Sequence, residues 1–194
     1  MWRSAWLVVA VLSQLVASAY TLKVSGLVSH YHGGEVMEGA LLRVYKNGVK
    51  IEAITSNVFG RYSVKLENNA DYVFRFSAKG FVTKCFGVNT HGLVWEGENN
   101  VKELFVEMTM IEVLPTMDLE FFDMPVGRLR FEPATGLVSW NKDYEAWVRP
   151  LVNEIMAEYD RQWYATASAV IMDGSGDPEL DPRQGSRPES PSVR

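Results

Sequence analysis

The sequence predicts a mainly β protein: a seven-stranded antiparallel β-sandwich followed by a C-terminal hairpin and an amphipathic helix. Three observations carry this. Apolar and polar residues alternate in short runs from residue 22 to about residue 110, punctuated by Gly and Asn. The pair Asn47-Gly48 separates two such runs, and a type I′ hairpin turn needs positive φ at both central residues. Beyond Asn141 the apolar period lengthens from two to about 3.6 residues, the repeat of a helix face.

The first 19 residues stand apart. Arg3 supplies a positive start, residues 5–16 are apolar apart from Ser13 and Gln14, and Ala17-Ser18-Ala19 gives the small-x-small pattern of a signal-peptidase site. Residues 1–19 therefore read as a secretory signal peptide, too short and wrongly flanked for a stable span. No second long apolar run follows, so no transmembrane span is expected in the mature protein. Cys85 is the single cysteine, which excludes an intramolecular disulfide, and its place in an alternating run makes it a small buried hydrophobe.

Strands are expected at 22–28, 40–45, 49–55, 62–66, 72–77, 81–88 and 104–110. The second and third form a hairpin about Asn47-Gly48. The fourth and fifth read as another pair, joined by Glu67-Asn68-Asn69-Ala70-Asp71. Tyr62, Val64 and Leu66 share one face and Tyr72, Phe74 and Phe76 another, the pattern of sheets with one side buried. Residues 91–102 are rich in Gly and Asn and read as a loop carrying Trp95. The sandwich accordingly occupies residues 20–112.

Residues 113–140 form an acidic connection and a short hairpin, its strands at 126–131 and 137–140 about a turn at Pro133-Ala134-Thr135-Gly136. A helix is expected over 141–172. Its stripe runs through Tyr144, Trp147, Val148, Leu151, Val152, Ile155, Met156, Tyr159 and Trp163. Pro150 should kink it or divide it into a short and a longer piece. Residues 173–194 hold Pro178, Pro182, Pro188 and Pro191 with Gly, Ser and mixed charge, a composition that predicts a disordered tail.

Four stretches in order carry a family likeness: Val24-Ser25-Gly26-Leu27-Val28, Gly39-Ala40-Leu41-Leu42-Arg43-Val44-Tyr45, Thr55 with Phe59-Gly60-Arg61-Tyr62, and Tyr72-Val73-Phe74-Arg75-Phe76 with Gly80-Phe81. Together they resemble the carboxypeptidase regulatory-like domain, a transthyretin-like seven-stranded sandwich, over about residues 20–112. The resemblance implies that the first Gly ends an edge strand and that Thr-x-x-x-Gly-x-Tyr turns into the next. The acidic residue often found in that turn is absent; Ser56 and Asn57 stand there, and the amide of an Asn can cap such a turn. Residues 125–144 also resemble the C-terminal extension of uncharacterised exported proteins of Bacteroidetes-type bacteria, which implies an envelope location.

The charge, 19 Lys+Arg against 24 Asp+Glu for a formal −5, holds no basic block and excludes a nucleic-acid phosphate backbone as partner. His30 and His32 could ligate a metal with His91 or Glu35, but the pair sits in a Gly-rich connection where solvated histidines are the commoner case. Transthyretin-like hydrolases carry a C-terminal Tyr-Arg-Gly-Ser that this sequence lacks, and the intradiol dioxygenase grouping of two Tyr and two His is not matched. No nucleophile motif or phosphate-cradling loop occurs. Neither enzyme nor cofactor is expected. Asp118 and Glu120 could share a face of an extended segment and bind calcium or carbohydrate; the plainer reading is a connection whose Phe residues cover a sheet edge. The first functional reading is a non-catalytic exported module, a structural or adaptor subunit that binds another envelope protein through Trp147, Tyr159 and Trp163. The second is a carbohydrate- or peptide-binding module using Tyr31, Trp95 and the loop at 30–35. The third is a small hydrolase or metal protein using His30, His32 and His91. The expected location is periplasmic or outer-membrane-associated, or the secretory pathway in a eukaryote.

Overall fold

The computed structural model describes residues 22–92, 102–132 and 135–173. The expected signal peptide, Trp95 and the tail from residue 174 lie outside the described residues. The protein divides into two compact units, Met1–Ile155 and Met156–Arg194. Among the described residues of the first unit, ten strands form two sheets. In the first sheet β1 (Leu22–His30) lies between β4 (Arg61–Leu66) and the successive strands β7 (Lys102–Phe105) and β8 (Met108–Met110). The second sheet runs β10 (Leu137–Trp140), β9 (Pro125–Glu132), β6 (Lys84–Asn89), β5 (Asp71–Ser77), β2 (Leu41–Lys46), β3 (Val49–Thr55).

Alternation builds the core as expected. Val24 and Val28 of β1 and Tyr62, Val64 and Leu66 of β4 join Leu42, Val44, Tyr72, Phe74, Phe76 and Phe86 of the second sheet in one buried cluster. Phe74 stacks on Phe86 with centroids 4.8 Å apart and planes 10° from parallel. The hairpin at Asn47-Gly48 forms with φ of 49° and 81°, the positive values a type I′ turn requires. The hairpin of β9 and β10 is also present.

Three expectations change. The sheets are mixed: β1 pairs in parallel with β7 and β8, and β6 with β9. The run 62–66 does not pair with 72–77; β4 pairs with β1 while β5 lies between β2 and β6 in the other sheet. The connection at 67–70 crosses the sandwich, with the Tyr72 hydroxyl accepting from the Glu67 N–H at 3.0 Å and the Ala70 N–H donating to Thr90 Oγ1 at 3.1 Å. Alternation marks an inward face but is blind to which strand lies alongside. Third, β1 is not an edge strand ending at Gly26; it is central and continues to His30.

Gly26 explains why. It lies opposite Tyr62, and the register that sets Leu22 against Lys102 and Val28 against Met108 continues past it unchanged. Between β7 and β8 the Val106 carbonyl turns into the sandwich, where a Cβ on Gly26 would meet its oxygen at 1.7 Å. The buried Tyr62 hydroxyl donates to that oxygen at 2.7 Å. Nearby, Ser56 Oγ donates to the Met37 carbonyl at 2.6 Å and accepts from the Ala40 N–H at 2.9 Å. Asn57 caps the following turn, its Oδ1 accepting from the N–H of Phe59 and of Arg61.

Lys84 spans the sheets at one end. It is 8% exposed, donates to the Thr109 carbonyl of β8 at 2.7 Å and lies 5.4 Å from the Phe122 ring centroid. Among the described residues no carboxylate pairs with it, and burial pushes its amine down to about 8. Cys85 beside it is buried as expected, and burial raises its thiol to about 11.

The helix α1 (Lys142–Asp173) is not broken at Pro150. Proline removes one hydrogen bond to the carbonyl four residues earlier, here Ala146, and both residues are exposed, so water can serve that carbonyl. In the second unit Tyr159 stacks on Trp163, with centroids 6.2 Å apart, and Arg161 and Gln162 both bond Glu158. No helix among the described residues is long and apolar enough to cross a membrane.

Two outcomes test this packing. Tyr62→Phe orphans a buried carbonyl and should cost about 1–3 kcal/mol in urea unfolding; Gly26→Ala should cost more, because backbone must move. A Tyr62→Phe protein as stable as the wild type would mean that water reaches Val106. Lys84→Met tests the buried amine. A base whose folded value is depressed adds stability as pH rises from about 8 towards its unfolded 10.5, and is penalised below. Over that window the wild type should gain on the variant by up to about 3 kcal/mol. A difference independent of pH would show the amine to be solvated.

Candidate functional site

Strand pairing places polar side chains in rows on the outer face of the second sheet. Val73, Gly87 and Arg128 form one row across β5, β6 and β9; Asp71, Asn89 and Arg130 form the next. Their neighbours Tyr72, Val88 and Leu129 point into the core. Between the β5 and β9 walls lies a recess of about 450 Å³, floored at Gly87 and reaching Asn141 at the start of α1.

Local sequence fixes this corner. Gly127 faces Trp140, whose ring would lie 2.6 Å from a Cβ there; the indole also meets Phe86 edge-on at 6.4 Å. Asn141 then ends the hairpin and starts the helix. Its N–H donates to the Arg128 carbonyl at 2.7 Å, and its Oδ1 accepts from the N–H groups of Asp143 and Tyr144, each at 3.1 Å. Tyr144 is held from two sides: its hydroxyl donates to the Pro125 carbonyl at 2.6 Å, and the Arg128 guanidinium lies 4.8 Å from its ring centroid. The Trp147 ring follows at 5.5 Å, tilted by 59°, and Trp147 is 53% exposed. Arg128, Tyr144 and Trp147 thus form a continuous stack at the surface.

The charges are unequally employed. Arg130 approaches Glu132 at 3.6 Å and Asp143 at 3.9 Å. Asp71 accepts from Asn89 Nδ2 at 2.7 Å and lies 3.8 Å from His91 Nδ1. Arg128 pairs with no carboxylate among the described residues. The recess is lined by Asp71, Asn89, Arg128, Arg130 and Asn141 among its polar residues, with Tyr72, Val88 and Leu129 behind them.

The residues singled out from sequence are dispersed. His30 ends β1, edge-on to Phe81 at 4.8 Å; Tyr31 and His32 occupy the turn that follows, their rings 4.8 Å apart, and Tyr31 is 39% exposed. His91 lies beyond Asn89 at the other end of β6 from Lys84, a strand length of about 17 Å away. Among the described residues no group of three His, Cys, Asp or Glu could hold a metal ion. The segment after Asp118 is not extended: Glu120–Asp123 is a 3-10 turn, Asp118 Oδ1 accepts from the Glu120 N–H at 2.9 Å, and Asp123 pairs with Arg75 at 2.8 Å. Phe122 there is fully buried. Of the three helix aromatics singled out from sequence, Tyr159 is fully buried, Trp163 half-buried and Trp147 exposed; Tyr164, outside that stripe, is exposed as well. Arg128, Arg130 and Gly87 were not singled out from sequence. The signal was there in Gly127-Arg128-Leu129-Arg130, whose alternation puts both guanidiniums on one face.

No family model and no curated protein matches the sequence. Among solved structures, similarity is found to the Bacillus anthracis TIE protein at 13% identity, covering 48% of this chain and 18% of that one with a TM-score of 0.40. Chlorocatechol 1,2-dioxygenase from Pseudomonas putida aligns at 12% identity over 49% of this chain and 61% of its own, with a TM-score of 0.38. The major pilin SpaD from Corynebacterium diphtheriae aligns at 12% over 48% and 31%, also at 0.38. This protein spans less than two thirds of each, and likeness at this level carries neither activity nor partner.

The corner can be tested directly. Gly127→Ala should destabilise by about 1–3 kcal/mol through overpacking against Trp140, and Trp140→Leu in the same protein should return most of that loss. Losses that simply add would mean the two residues do not meet.

Proposed function

We propose that this protein is an exported, non-catalytic β-sandwich module that serves as a structural or adaptor subunit by binding another protein of the cell envelope. The observation that carries the reading is Trp147: an indole 53% exposed yet positioned by the Tyr144 ring, itself anchored at Pro125 and under Arg128. Trp, Tyr and Arg are the residue types enriched at binding hot spots. A residue already ordered before binding loses little entropy on contact, so more of its burial appears as affinity. Leu151, one helical turn on and 38% exposed, extends the apolar ridge. The carboxypeptidase regulatory-like resemblance supports a scaffold role, and the signal-like N-terminus supports export to the periplasm or outer membrane.

The test is in-cell crosslinking with a photoreactive residue at position 147 and, as control, at Lys65 on the outer face of the first sheet. One dominant protein adduct at 147 and none at 65 is expected. Trp147→Ala should then weaken the isolated complex by about 30-fold, equivalent to about 2 kcal/mol, with the melting temperature little changed. Equal labelling at both positions would remove the adaptor reading.

A further inference from the structure

We infer that the recess beside Trp147 receives a side-chain carboxylate, the acid of an Asp or Glu residue presented by the partner protein. This rests on the adaptor reading and names the chemistry of its contact. Gly87 has no side chain to fill the space between the β5 and β9 walls, which stand two strand spacings, about 10 Å, apart. A Cβ there would already approach Arg128 Cγ at 3.4 Å. Arg128 is exposed and has no acidic partner among the described residues, and stacking over Tyr144 occupies its face while leaving its N–H edges to donate. Arg130 adds a second guanidinium whose nearest carboxylates, at 3.6 and 3.9 Å, lie beyond hydrogen-bond length. Asn141 spends its oxygen on the helix start, so its amide N–H groups remain as donors.

The opposite wall sets the direction. Asp71 repels an incoming acid from the β5 side and leaves the β9 side as the favourable one. From Arg128 through Tyr144 to Trp147 the stack measures 4.8 and then 5.5 Å between successive groups. An extended peptide advances about 3.3 Å per residue and turns every second side chain to the same face, so one segment presents both groups to this surface when its acid and an apolar residue stand two positions apart. The partner segment is therefore acidic and apolar at that spacing.

The experiment titrates 15N-labelled protein with two capped peptides, acetyl-Leu-Ser-Glu-amide and its Gln counterpart, reading the Arg128 side-chain Nε–H and the Gly87 amide. The Glu peptide is expected to bind about tenfold more tightly than the Gln peptide. Arg128→Met, which keeps the stem over Gly87, should reduce the Glu peptide to the Gln level, and Trp147→Ala should weaken both. Equal affinity of the two peptides for the wild type overturns the inference. So does acetate alone binding Arg128 as tightly as the Glu peptide, which would make the recess a site for a free small carboxylate. If the peptides fail while the crosslink at 147 persists, the recess inference falls and the adaptor reading stands. Loss of the crosslink removes the adaptor reading, and with it the partner as the source of the acid.

Discussion

The first sheet is organised around one buried carbonyl. Val106 turns its oxygen inward at the break between β7 and β8, where the Tyr62 hydroxyl, reaching across Gly26, meets it. A carbonyl unpaired in an apolar interior is costly, and a side chain at position 26 would occupy its place. The arrangement ties the four strands of this sheet together: β4 supplies the donor, β1 the gap and the β7–β8 break the acceptor. Because the register of β1 against β7 and β8 runs through the break unchanged, the knot stitches a parallel ladder that would otherwise be two short pieces. Tyr62 also meets Phe76 edge-on at 5.1 Å, which links the knot to the second sheet.

The second sheet depends on a comparable use of small residues. Gly127 admits Trp140 on the inner side, and Gly87 leaves the outer side open. One seats the hairpin of β9 and β10 against the core; the other creates the recess that Arg128 and Arg130 border. Asn141 then couples hairpin to helix, because the residue that bonds the Arg128 carbonyl also caps the first helical turn. Rigidity at Tyr144 follows, and so does the fixed presentation of Trp147. The surface chemistry of this corner is a consequence of how its backbone is packed.

Much of this was legible along the sequence. The alternation of Tyr62, Val64 and Leu66 and of Tyr72, Phe74 and Phe76 marked their inward faces, and Asn47-Gly48 marked a turn that forms with positive φ at both residues. Asn57 as the cap of its turn, the buried Cys85 and the strand at 137–140 could also be read directly. What misled was adjacency. Runs at 62–66 and 72–77 with five polar or small residues between them look like a hairpin, yet the Tyr72 hydroxyl and Thr90 hold that connection across the sandwich. The candidate site was partly legible: Trp147 lay in the helical stripe, whereas the recess needed β9, distant in sequence, to come alongside the consecutive strands β5 and β6.

The sequence by itself determined the strand and helix content, which face of each run turns inward and where tight turns fall, because periodicity and turn propensity act over a few neighbouring residues. Only the tertiary structure decided that β1 is central, that its pairing with β7 and β8 and that of β6 with β9 are parallel, and that His91 is remote from His30. It also decided that Tyr159 is buried while Trp147 is exposed, although both belong to one apolar stripe. The physical reason is that strand order and burial depend on contacts between residues far apart in the sequence. A local pattern carries the need for a buried face; it does not say what will cover it.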